Sequence, residues 1–131
     1  MIMAYIPTDD GKITINNVDK DMFPEEVLDI EPGQKFKESG HWINYFLCGY
    51  KAILALDSPI KGSVTPQGMK ILIDSNVPAA AGLSSSSAFT VCAAITTAHR
   101  NGVIEKLDQK VVAQLTINAE RMAGTACGGM D

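Results

Sequence analysis

Residues 76–94, NVPAAAGLSSSSAFTVCAA, set four consecutive serines, Ser84, Ser85, Ser86 and Ser87, between a run of small residues and an apolar segment. Just upstream, residues 69–78, MKILIDSNVP, carry the continuous Ile71, Leu72 and Ile73 of an interior strand, closed by Pro78, which has no N–H to give a ladder. Downstream, residues 84–99 hold no Lys or Arg and are apolar on most faces, the pattern of a central buried helix that Arg100, Asn101 and Gly102 stop. A strand that passes through small residues straight into a helix offers free backbone N–H groups at the positive end of a helix dipole, which is an anion site. Ala79, Ala80, Ala81 and Gly82 leave room for a phosphate to reach the main chain, and the serine hydroxyls add donors or a ligand for Mg²⁺.

The four serines alone read first as a serine-rich turn that caps a helix; a cap needs only one of them, however, and the strand before and buried helix after disfavour a mobile linker. The absence of Lys and Arg between Lys70 and Arg100 excludes a Walker A loop, and the stretch fits neither G-x-G-x-x-G nor G-x-S-x-G. Any charge neutralisation in the loop falls to backbone dipoles and a metal ion.

Working outward, residues 2–6 and 12–18 read as two strands, and the DDG signal at Asp9, Asp10 and Gly11 predicts that they form a hairpin. The acidic segment 19–40, broken by Pro24, Pro32 and Gly33, reads as a surface connection with a short strand at 27–30. Ser39 is placed to cap a helix over 41–56, in which Trp42, Tyr45, Phe46, Gly49, Ile53 and Leu56 share a face and which Asp57, Ser58 and Pro59 end. A last helix over 108–122 has Asp108 as N-cap, Gly124 past its end, and Val111, Val112, Leu115, Ala119 and Met122 on its packing face. The order β-β, α, β, loop, α, α, loop predicts an α+β fold, a sheet covered by helices on one side.

A length of 131 residues is that of one ordinary domain, and 46% hydrophobic with 20% charged residues is globular rather than disordered. A net charge of −4 argues against a broad nucleic-acid footprint, so an anionic ligand needs a local site. The three cysteines, Cys48, Cys92 and Cys127, are odd in number and lack C-x-x-C spacing, which disfavours a disulfide framework or zinc knuckle and fits a reducing cytoplasm. No apolar run reaches the roughly 18 residues of a membrane span, so no membrane partner is expected. The opening MIMAYIP reads like the middle of a sheet and the ending GTACGGMD like an interrupted glycine loop, so the chain is expected to be a piece of a longer protein. His41 and His99 read as a surface residue and a helix-end charge, and Cys127 as a small buried thiol.

Residues 78–88, PAAAGLSSSSA, resemble the P-x-x-x-G-L-S-S-S-A phosphate-binding motif of the GHMP small-molecule kinases, the superfamily of galactokinase, homoserine kinase, mevalonate kinase and phosphomevalonate kinase. Residues 119–131, AERMAGTACGGMD, resemble the segment in which a glutamate-bearing helix runs into a G-x-M-D loop, and residues 41–54, HWINYFLCGYKAIL, resemble a helix opening on W-x-N-Y. Both are similar to the galactokinase and N-acetylgalactosamine kinase branch.

The resemblance implies a truncated N-terminal, ATP-binding domain over residues 1–131, a mixed sheet with helices on one face and a left-handed β-α-β unit. It implies ATP and Mg²⁺ as cofactors, galactose or N-acetylgalactosamine as substrate, and a cytoplasmic protein that is monomeric at full length. By residue, it implies that Gly82, Ser84, Ser85 and Ser86 hold the ATP phosphates and that Trp42 borders the base. Ser85 and Glu120 would serve the metal, Gly128 the sugar, and Asp131 would be both sugar contact and catalytic base. On the residues alone, Gly128 and Gly129 also read as a plain turn, and Asp131 reads first as a solvated chain end. The R-x-N-L-I-G-E-H-x-D-Y segment of galactokinases is absent, so this polypeptide by itself is expected to turn over poorly, and a non-catalytic sugar and ATP sensor is the competing expectation.

Overall fold

A computed structural model of the chain describes residues 1–54, 64–79 and 82–124. The elements are β1 (Ile2–Pro7), β2 (Lys12–Asn17), β3 (Glu26–Asp29), α1 (Ile43–Leu54), β4 (Met69–Asp74), α2 (Ser85–Arg100), a 3₁₀ turn (Ile104–Lys106) and α3 (Gln109–Met122). The strands form one mixed sheet in the order β1-β4-β2-β3.

The expected hairpin of β1 and β2 does not form. β4 lies between them, antiparallel to β1 with Tyr5 opposite Ile71, and parallel to β2 with Ile15 opposite the same Ile71. The turn chemistry at 9–11 is nonetheless present: Asp10 accepts from the Thr8 hydroxyl at 2.8 Å and from the Lys12 N–H at 3.0 Å. The turn changes direction without pairing its flanks, because the Thr8 N–H goes to the Gly68 carbonyl at 3.1 Å and Arg100 Nε donates to the same oxygen at 2.9 Å. Those bonds tie the entry of β4 to the end of β1. The true antiparallel partner of β2 is β3, with Ile13 opposite Leu28.

One face of the sheet is apolar and covered. Ile13 and Ile15 of β2 and Met69, Ile71 and Ile73 of β4 pack under Ile43, Phe46, Leu47 and Tyr50 of α1 and Phe89 and Ala93 of α2. The other face is open, so β4 alternates buried and exposed, and Leu72, expected inside, is half exposed. The parallel pair of β2 and β4, linked through β3 and α1, is the β-α-β unit of the expected fold.

The central helix is α1 rather than α2. Nine of the 12 residues of α1 are buried, and it packs on both α2 and α3. The small Ala and Thr residues of α2 mimic full burial in sequence, yet Ile95 and His99 face outward, and His99 Nδ1 meets the Tyr5 hydroxyl at 2.7 Å. Ser39 does not cap α1: the helix starts at Ile43, whose N–H donates to His41 Nδ1 at 3.3 Å. His41 is itself only partly exposed and sits 3.3 Å from Glu26. The expected stop at Asp57, Ser58 and Pro59 lies outside the described residues. Asp108 caps α3 through the Val111 N–H at 2.8 Å, as expected. The packing face of α3 is rotated from the expected one: Val112, Thr116, Ala119 and Glu120 are buried, whereas Met122 is exposed.

Candidate active site

The chain leaves β4 at Asp74 and enters α2 at Ser85 through two residues in the left-handed region, Gly82 at φ 69° and Ser84 at φ 55°, ψ 37°. Serine seldom adopts that conformation, and the usual cap is missing, since the Ser84 side chain accepts nothing from the helix. The first N–H drawn into the helical ladder is that of Ala88, to the Ser84 carbonyl at 3.0 Å. The N–H groups of Ser85, Ser86 and Ser87 therefore stand ahead of the ladder, at the positive end of a 16-residue helix. The serines do not cap the helix by the ordinary route, and their arrangement fits an anion.

Because successive helical residues turn by about 100°, the four serines divide between two cavities. Ser85 and Ser86 line a cavity of about 590 Å³ with Trp42, Tyr45, Phe23 and Phe89. The indole of Trp42 meets Phe23 and Phe89 edge to face, with centroids at 5.7 and 6.1 Å, and its Nε1 is buried with no hydrogen-bond partner among the described residues. An aromatic-walled pocket of this kind suits a heteroaromatic ring. Ser84 and Ser87 line a second cavity, about 430 Å³, with Thr116 and Glu120 of α3. There Ser87 Oγ stands 3.4 Å from Glu120 Oε2, a carboxylate only 2% exposed.

The expected residues Trp42, Ser85 and Ser86 are thus brought together, while Ser84 and Glu120 face the neighbouring space, and the exposed Gly82 lines neither cavity. Gly128 and Asp131 lie outside the described residues, as do Ala80, Ala81 and Cys127. Ser87, named in the sequence among the four candidate donors but given no role of its own by the resemblance, shares a cavity with Ser84; its spacing of three from Ser84 was the signal for that.

Among the described residues no three His, Cys, Asp or Glu side chains cluster as a metal cage. The buried Glu120 carboxylate, close to the serine hydroxyls that open α2, instead fits Mg²⁺, which takes few protein ligands and completes its shell with phosphate and water. Cys48 of α1 gives its Sγ–H to the Ala119 carbonyl at 3.5 Å, and burial first, then the charge of Glu120, pushes its pKa up to about 12. That thiol is a packing residue and no nucleophile.

Residues 33–131 match the model of the GHMP kinases N terminal domain. The chain belongs to the GHMP kinases. Across its whole length this GHMP kinase chain is 32% identical to a galactokinase of Candida maltosa and 34% identical to one of Candida albicans. It spans 60% of the first of these proteins and 26% of the second. A galactokinase of Schizosaccharomyces pombe is 31% identical, again over the full chain. Among solved structures, the Methanococcus jannaschii mevalonate kinase superposes with a TM-score of 0.75 at 21% identity, over 98% of this chain and 38% of that one. A D-glycero-D-manno-heptose 1-phosphate kinase from Bacteriodes thetaiotaomicron gives 0.73 at 21% identity, over 98% and 39%. The two structures share the fold. The described residues include no helix long and apolar enough to cross a membrane.

Proposed function

We propose that the complete gene product is an ATP-dependent sugar 1-kinase of the galactokinase type, acting on galactose, with residues 1–131 forming part of its ATP-binding domain. The observation that carries this reading is the uncapped N-terminus of α2, opened by the left-handed Ser84 and flanked by an aromatic pocket on one side and the Glu120 carboxylate on the other. A nucleotide spans those features in order: base against Trp42, phosphates over the amides and hydroxyls of Gly82, Ser84, Ser85 and Ser86. Ser85 and Glu120 are the proposed holders of Mg²⁺, which when bound neutralises charge developing on the transferred phosphoryl group. Gly128 approaches the sugar, and Asp131 accepts the proton of the anomeric hydroxyl as that oxygen bonds to the γ-phosphorus and the bond to ADP breaks. The galactokinases of the three yeasts, similar over the full chain, favour galactose as the acceptor. We also place the enzyme in the cytoplasm, as a monomer.

The test is ATP-dependent formation of sugar 1-phosphate by the complete gene product, with galactose and N-acetylgalactosamine compared. Turnover with galactose that falls at least 10³-fold in Asp131→Ala is expected for loss of a base combined with substrate positioning. Binding of ATP and sugar without turnover overturns the enzyme reading in favour of a sensor, and a preference for N-acetylgalactosamine overturns the substrate.

A further inference from the structure

Counted from Pro78, the alanine that closes the P-x-x-x-G-L-S-S-S-A motif is replaced in this chain by Ser87. That replacement does not fall on a neutral surface. Ser87 lies in the first turn of α2 on the side that faces α3, in one cavity with Glu120, and its Oγ is 3.4 Å from Glu120 Oε2. Glu120 is 2% exposed, so its carboxylate has given up most of its water and depends on nearby donors and dipoles. The first turn of α2 supplies the dipole, and the Ser87 hydroxyl supplies a donor that alanine cannot.

We propose that Ser87 is a positioning residue for Glu120, its hydroxyl holding one carboxylate oxygen so that the other is turned toward the phosphate end of α2 as a ligand for a divalent cation. The proposal rests on the reading of Glu120 as a metal-binding residue. A carboxylate on a long side chain has several rotamers, and a donor on one oxygen selects among them, which raises cation affinity without any direct bond from the serine to the metal. Glu120 itself leaves from the last turn of α3, one residue beyond Ala119, whose carbonyl accepts from Cys48. The backbone there is anchored, so the Ser87 hydroxyl acts on the side chain, as one of the groups that set its rotamer.

Binding of Mn²⁺, in place of Mg²⁺, to the complete gene product with a non-hydrolysable ATP analogue tests the idea, read by paramagnetic resonance of free Mn²⁺. Ser87→Ala should weaken Mn²⁺ binding by about tenfold, the lower end of the range for residues that orient metal ligands. Ser87→Thr keeps the hydroxyl and should remain within about twofold of the original. Ser87→Ala restores the motif's own residue and a stronger helix former but withdraws a donor from a buried carboxylate, so its thermal midpoint is measured alongside, and Mn²⁺ binding is compared at a temperature where both proteins are folded. An unchanged Mn²⁺ affinity in Ser87→Ala, beside a clear loss in Glu120→Gln, overturns the positioning role while leaving Glu120 as the ligand. If Glu120→Gln also leaves Mn²⁺ binding unchanged, both assignments fall. Failure of the sugar kinase reading looks different, as metal binding that responds to both variants with no sugar phosphate formed.

Discussion

Ser84 holds φ 55° and ψ 37° without a side-chain bond to the helix it opens. For a residue with a Cβ, that conformation costs about 1–2 kcal/mol, and glycine adopts it freely. Ser84→Gly should therefore raise the stability of the protein by about 1 kcal/mol, seen as a higher denaturant midpoint, while weakening ATP binding through loss of a hydroxyl donor. A midpoint that stays put or falls would show that the serine side chain contributes something the left-handed backbone does not explain. Residue identities alone suggest the general nature of this site, since four serines after AAAG, ahead of a stretch with no Lys or Arg before Arg100, point to an anion. They did not show which serine serves which neighbour. Ser85, Ser86 and Ser87 are chemically identical, and only the seating of α2 between α1 and α3 sends the first two toward Trp42 and the third toward Glu120.

Between elements, the site depends on how closely α1 and α2 approach. A Cβ placed on Gly49 would lie 2.4 Å from the Thr90 carbonyl oxygen, 2.7 Å from Ala93 Cβ and 2.7 Å from Ala94 N, so the backbones themselves are in contact there. Gly49→Ala must push the helices apart, and overpacking against backbone costs about 1–3 kcal/mol or more. The expected result is a thermal midpoint lower by several degrees, accompanied by weaker ATP binding as Trp42, just ahead of α1, moves from Ser85 on α2; unchanged values for both would overturn the close approach of α1 and α2 as what seats the site. Gly49 was legible as a member of the packing face of α1, although not as its closest contact, because periodicity reports direction and not distance. Strand pairing was less legible still. The turn at Asp9, Asp10 and Gly11 is local and was read correctly as a turn, whereas the insertion of β4 between β1 and β2 is set by contacts more than fifty residues away in sequence. The apolar run Ile71, Leu72, Ile73 identified an interior strand and concealed that one face of the sheet is open.

For the molecule as a whole, the stability of the core is tied to two acids that are neutral in the fold. Cys48 and Tyr50, both on α1, are fully buried, and the Tyr50 hydroxyl donates to the Ile30 carbonyl. Burial first and the charge of Glu120 second raise the Cys48 pKa from 9.0 to about 12; burial first and Glu31 second raise that of Tyr50 as well. Unfolding releases both to water, where each loses its proton at the lower, ordinary pKa. Between that value and the raised one, the native state binds more protons than the unfolded chain, so stability must fall as pH rises. It is fully present below pH 9.0 and declines toward pH 12, by on the order of 4 kcal/mol for the cysteine if the whole shift is expressed. The urea midpoint should accordingly stay level from neutrality to about pH 9 and then drop, and in Cys48→Ala the drop should begin about one unit later, where an exposed tyrosine ionises. An onset that Cys48→Ala leaves unmoved would remove the thiol as its cause and assign the whole alkaline limb to Tyr50.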